Sequence, residues 1–332
     1  MNSEDIKSFP TDCAPSYIPN NLTSNNNKLF FIHNSESQPR IMEINKKLFE
    51  NNNNNTKYVN PFNNNETYEM LFCKSINLNF NNYIAVGLYG GFKLWNNEGS
   101  RLLFQIPTRN KIEGKTYAFL ACCEFKSDSS SSVSDSILSC DNYGQIFLIN
   151  GRESNWKSER IFHYDNKSII SIGNSVGFNK VGITCENMNV ILLKIQNNVC
   201  DNLKTFQEKL IGVCSDSIKL NNNEYYYVVG FMNGEIKLYN FNKLTVDYDI
   251  CSHLRGINSL ITVNECIVTG GEDGCVNIWK VNGKEEKVEL KKNLLFEDKM
   301  VVGVDYDDKK NCLFVNFFDF SEVLKISNVN FN

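Results

Sequence analysis

Seven times along the chain a short apolar strand runs into a tight turn, usually at a glycine, and an alternating strand follows. The clearest copies are NYIAVGLYGGFKLW (82–95), SILSCDNYGQIFLI (136–149), YYYVVGFMNGEIKLY (225–239) and CIVTGGEDGCVNIW (266–279). Fainter copies are KLFFIHNSESQPRIMEI (28–44), VGITCENMNVILLK (181–194) and CLFVNFFDFSEVLKI (312–326). Their last residues fall 51, 54, 45, 45, 40 and 47 residues apart. One hairpin cannot bury both of its faces, so units at this spacing must stack on one another. A period of roughly 40–50 residues with room for four strands per unit specifies an all-β, seven-bladed propeller. Helical periodicity is thin, LKTFQEKLIGV (203–213) being the nearest approach to it.

The polar tracts fit that architecture as loop expansions. Asn runs (51–55, 63–65) and a Ser-rich run (127–136) punctuate the chain without cutting it in two, so residues 1–332 read as one domain. The last hairpin ends near Ile326, which leaves the seventh unit without a fourth strand. A segment within residues 3–12 is expected to supply it and close the ring, removing the exposed sheet edges.

Composition bounds the function. Net charge is −4 and no basic stripe is visible, which speaks against direct nucleic-acid binding. The start is polar and no apolar run approaches ~18 residues, so neither export nor a membrane span is expected. Twelve scattered cysteines without a CxxC pair read as free thiols in a reducing cytoplasmic, or nuclear, compartment. His33, His163 and His253 are too far apart to suggest a metal site, and no cofactor is expected.

One turn carries more chemistry than the rest. In VTGGEDGCVNIWKV (268–281), Asp273-Gly274 favours a tight reversal. A covered Trp279 needs an acceptor for its indole N–H, and Thr269 on the neighbouring strand can supply a hydroxyl. That hydroxyl can donate to His253, whose other ring nitrogen can face Asp273. A hydroxyl, an imidazole and a carboxylate also suggest a nucleophilic triad, but no oxyanion hole accompanies them and the tryptophan occupies the hydroxyl's other side. No helix follows GGEDG, so the phosphate-loop reading fails as well.

This stretch resembles the WD-repeat hairpin, with Thr269 four residues before the turn Asp and Trp279 six after it. The resemblance implies a structural tetrad of His253, Thr269, Asp273 and Trp279. The other copies depart from it: Tyr143 and Ile149 stand at the Asp and Trp positions of one, Asn233 and Tyr239 at those of another. PNNLT (19–23), GGFKLWNNEG (90–99), MNGEIKLYNFNKL (232–244), SHLRGINSL and DFSEVLKIS (319–327) resemble the WD repeat-containing protein 54 family. That resemblance implies a cytoplasmic, non-enzymatic propeller acting through contacts with proteins or peptides, self-association included. A subunit of a nuclear RNA-processing complex is the alternative; an enzyme using acidic residues in the central channel is the other. Residues just before the turn Asp crowd one rim, by pattern Leu88, Asn142, Asn187, Met232 and Glu272. They are the candidate partner-binding set, with Leu88 and Met232 as its apolar members.

Overall fold

Burial in every strand but the outermost arranges the chain into seven four-stranded antiparallel sheets around one axis. The computed structural model describes residues 1–332 apart from 1–5, 26, 36–38, 48, 50–55, 60–68, 79–80, 108–115, 127–134, 153–154, 178, 284, 286, 330 and 332. Most of the Asn- and Ser-rich tracts therefore lie outside the described residues. The innermost strands are Thr23–Ser24, Met70–Leu78, Phe119–Phe125, Ile169–Ile172, Gly212–Lys219, Ile257–Val263 and Val301–Asp307. Each is followed by one of the seven hairpins. In blade 6 these strands are Cys266–Gly271 and Cys275–Asn282, and Lys287–Leu295 lies outside them.

Strand burial follows radial position. Tyr225–Phe231, second in blade 5, is buried along its whole length. Val199–Gln207, outermost in blade 4, keeps none of its residues fully buried. The stretch 203–213, the nearest approach to helical periodicity, holds the end of this strand, a crossover and the start of Gly212–Lys219; tertiary pairing with Asn189–Gln196 and Tyr225–Phe231 makes its two ends strands. The core is a set of wedges between blades. One wedge joins Tyr226, Val228 and Leu238 of blade 5 to Leu260, Ile267 and Val281 of blade 6. Apolar packing of this kind also holds the blades that lack a polar network.

The seventh sheet is completed by the N-terminal strand Ile6–Pro10, paired antiparallel with Glu322–Ile326. Phe9 of that strand is buried against Phe49, with ring centroids 5.0 Å apart. On the lower face Lys46, just past the third strand of blade 1, reaches Asp307 at the end of the innermost strand of blade 7. The chain thus fastens its first blade to its last at two levels.

The innermost strands diverge too far to form backbone ladders with each other. Side chains bridge them instead. Thr23 accepts from the Ser75 amide, Glu124 from the Asn77 amide, and Asn174 from the Glu124 amide. Asp216 accepts from Asn174 and from the amide and hydroxyl of Thr262. Ser259 accepts from the Val304 amide, and Asp305 accepts from Ser24. All seven junctions between neighbouring blades are spanned in this way. Backbone amides that face a neighbouring blade find acceptors in this way.

Candidate interaction face

The turns between second and third strands, and the crossovers from each outer strand to the next blade, share one end of the propeller, here the upper face. At blade 6 this end is built around Asp273. The turn needs a left-handed residue, and Gly274 takes φ 77° there. His253 comes from the crossover preceding the blade. Its Nδ1 lies 2.9 Å from Asp273 Oδ1 and its Nε2 lies 2.8 Å from Thr269 Oγ1.

Trp279 does not reach Thr269 directly, contrary to the sequence expectation. Its Nε1–H donates to Ser252 Oγ at 2.8 Å, and Ser252 Oγ lies 3.2 Å from Thr269 Oγ1. The reason is positional: Ser252 precedes His253 on the same crossover and lies between the two side chains. A single direction of donation satisfies all members: Trp279 to Ser252, Ser252 to Thr269, Thr269 to Nε2, and Nδ1–H to Asp273. Each hydroxyl then gives one proton and receives one. Burial holds the His253 pKa below its ordinary value, against the pull of Asp273, so the ring stays neutral as this pattern requires. Burial alone would raise the Asp273 carboxyl, but the Leu254 amide and His253 bring it below the usual range. Each hydrogen-bonding atom of Trp279, Ser252, Thr269 and His253 thus has a partner within the network.

We expect a double-mutant cycle between Trp279→Phe and Ser252→Ala to give a coupling of about 1 kcal/mol in denaturant unfolding. The cycle between Trp279→Phe and Thr269→Val should give less. The reverse order would mean that Trp279 and Thr269 are in direct contact.

The five rim residues separate into different environments. Met232 is 57% exposed, and Glu272 is partly exposed beside it. Asn142 is half-buried, bonding the Ala118 amide and the Thr116 carbonyl. Asn187 stands second in its turn, behind Glu186, which accepts from Ser168. Leu88 is only 2% exposed and packs with Phe30, Ile32 and Val86. It is therefore no part of an apolar rim. The turn of blade 2 has two residues, Tyr89-Gly90, where the turns of blades 3, 5 and 6 have three. Leu88 is thus the last strand residue, and the rim position passes to Tyr89.

Most of the exposed apolar side chains of this face lie elsewhere. Among the described residues, fourteen large apolar side chains are exposed, and nine of them are at the upper end. Six gather over blades 5 to 7: Tyr17, Met232, Leu254, Leu295, Phe318 and Phe320. Tyr89, Met188 and Leu210 complete the nine; the other five are on outer strands. Tyr17 belongs to a strap, residues 14–22, that passes from the closing strand over the mouth of the channel. Asn20 of the strap accepts from the Leu260 amide, and its own amide donates to Asn258. The Tyr17 hydroxyl donates to Glu272 at 2.6 Å, and its ring meets Phe318 edge-on at 5.7 Å. Burial and the Glu272 carboxylate push that hydroxyl up to about 12.

Below the strap the channel encloses about 610 Å³. Leu71, Leu120, Ile170 and Val213 line its upper part, and Lys74, Glu124, Asp216 and Asp305 its lower part. Burial raises Asp305 to about 6, although Ser24 and Lys46 pull it down. The three acids are already engaged in bridging the innermost strands.

Sequence reasoning missed Ser252, Tyr17, Leu254, Leu295, Phe318 and Phe320. Leu254 left one trace, a lone aliphatic between polar residues in SHLRG.

No protein-family model matches the sequence, and no curated protein shows significant similarity to it. Solved structures do. A chain in the crystal structure of the Mitotic Checkpoint Complex is 12% identical with a TM-score of 0.72, the match covering 98% of this chain and 91% of that one. A chain in the crystal structure of BBS1N in complex with ARL6DN is 12% identical with a TM-score of 0.70, covering 98% of each. At such identity the likeness speaks for fold alone: this chain is a seven-bladed β-propeller.

Proposed function

We propose that this chain is a non-enzymatic protein-interaction scaffold, related to the WD repeat-containing protein 54 family, that receives a partner on its upper face over blades 5 to 7. The observation that carries this reading is the gathering of six exposed large apolar side chains in that sector. Isolated exposed apolar residues are ordinary on any surface, but a cluster at one end of the fold marks a contact region. The non-enzymatic part rests on the channel acids being spent on interstrand bonds. The two similar structures offer support by analogy, since each was crystallised within a protein assembly. A reducing compartment such as the cytoplasm suits twelve free cysteines, eight of them buried.

The test is comparative affinity purification from the source cells, using the wild-type chain and a Met232→Glu/Phe318→Ser variant. The variant should keep the wild-type melting curve and lose at least tenfold in recovery of a defined set of proteins. An identical partner set for both chains would reject the upper face as the docking surface.

A further inference from the structure

The crossover into blade 6 presents the most exposed large apolar side chain among the described residues. Leu254 is 94% exposed, so almost its whole isobutyl group stands in water. A leucine so placed on a loose loop would mean little. Here the loop is pinned at both ends. The amides of Ser252 and His253 both donate to the Gly234 carbonyl at 3.0 Å, and the Glu272 amide donates to the Gly256 carbonyl at 2.9 Å. Leu254's own amide donates to Asp273 Oδ2 at 2.9 Å, and His253 before it is locked between Asp273 and Thr269. At Gly256 a Cβ would lie 3.2 Å from both Glu272 Oε1 and the Met232 carbonyl, so the loop is also tight against its neighbours. The polar network of blade 6 therefore acts as a mount that projects a leucine from the surface.

A side chain projecting from a pinned backbone cannot form the floor of a pocket. It can fill one, and with the backbone already ordered only the leucine's own rotamer freedom is lost on doing so. The charges around it add a second condition. Glu272 is beside Met232, and Glu297, Asp298 and Asp319 are exposed on the adjoining loops. Against them stand Arg255, which is exposed, and Lys299, which is paired with Glu322. With Lys209, exposed on the crossover into blade 5, counted as well, carboxylates still outnumber bases over this sector. Such a surface repels phosphate backbones and acidic lipid headgroups and attracts a cationic rim.

We propose that Leu254 is the anchor of the docking face, inserting into an apolar pocket of a partner protein whose rim carries lysine or arginine. This deepens the scaffold reading and rests on it. Met232 and Phe318 widen the buried area around the anchor, while the carboxylates orient the partner and raise its association rate.

Photo-crosslinking tests this directly. Benzoylphenylalanine is placed at position 254 of the full chain in the source cells, and separately at the position of Val199, exposed on an outer strand, as the control. Position 254 should yield a discrete protein adduct that the control does not, mapped to an apolar pocket flanked by basic residues. With that protein purified, Leu254→Asp should weaken binding about 10- to 100-fold at an unchanged melting temperature, the range expected for losing one buried leucine. Glu272→Lys should slow association, and raising the salt should weaken binding by wild type. No adduct beyond the control, an adduct to lipid, nucleic acid or a second copy of this chain, or full-strength binding by Leu254→Asp would overturn the proposal. If Met232→Glu/Phe318→Ser abolishes binding while Leu254→Asp does not, the docking face stands and the anchor falls.

Discussion

Deleting residues 1–12 should lower the melting temperature by about 10 °C or more. The deleted strand contributes five residues of pairing to the seventh sheet and buries Phe9 against Phe49 and Val323. Losing a buried phenylalanine alone costs about 3–5 kcal/mol, and each lost interstrand hydrogen bond about 1 kcal/mol more. For domains somewhat smaller than this one, each kcal/mol shifts the midpoint by roughly 2–4 °C. The deletion also uncovers the edge of Glu322–Ser327, a template for pairing with another chain. Calorimetry and light scattering should therefore report a lower midpoint together with self-association. An unchanged, monomeric melt would mean that the strand decorates the ring and does not close it.

Lys46→Ala should destabilise the fold by about 3–5 kcal/mol, the usual cost of stripping one partner from a buried ion pair. Lys46 Nζ lies 2.7 Å from Asp307 Oδ2, and the lysine side chain is only 2% exposed. The ammonium also stands over the Phe314 ring, 5.4 Å from its centroid. Asp307 accepts the Lys309 and Lys310 amides through its other oxygen, so its remaining charge has nowhere to turn once the ammonium is gone. Lys46→Met combined with Asp307→Leu should recover most of the loss, since a well-packed apolar pair removes both buried charges. The pH dependence follows from the carboxyl. Burial alone would raise it, but Lys46 brings it below its ordinary value. Its contribution is then complete above the unfolded carboxyl value, about 4, and is lost as pH falls through the folded one. Urea titrations at neutral and acid pH measure both effects. A cost below 1 kcal/mol for Lys46→Ala would show that the pair contributes little to the seam.

The architecture was legible because it repeats. Seven hairpins at near-constant spacing carried strand identity, blade number and the need for a closing strand. Local turn chemistry was less transferable. Leu88 was misplaced by one residue because a two-residue turn and a three-residue turn share the same Gly-rich look, while only one leaves the leucine on the rim. Ser252 was missed because strand parity says which residues share a face and nothing about a crossover arriving from the preceding blade. Leu254, Phe318 and Tyr17 were missed for a related reason. A hydrophobic residue in a loop carries no period, and its exposure depends on what the rest of the chain leaves uncovered.

The bridges between innermost strands make the propeller a closed hoop. Blade spacing is set at the inner rim, where each strand is tied to the next. Sequence can therefore be added in the connections between strands without changing the circumference. A chain built this way can carry long asparagine and serine insertions and still present its upper loops in fixed angular order, as teeth on a wheel keep their pitch whatever is hung from the rim.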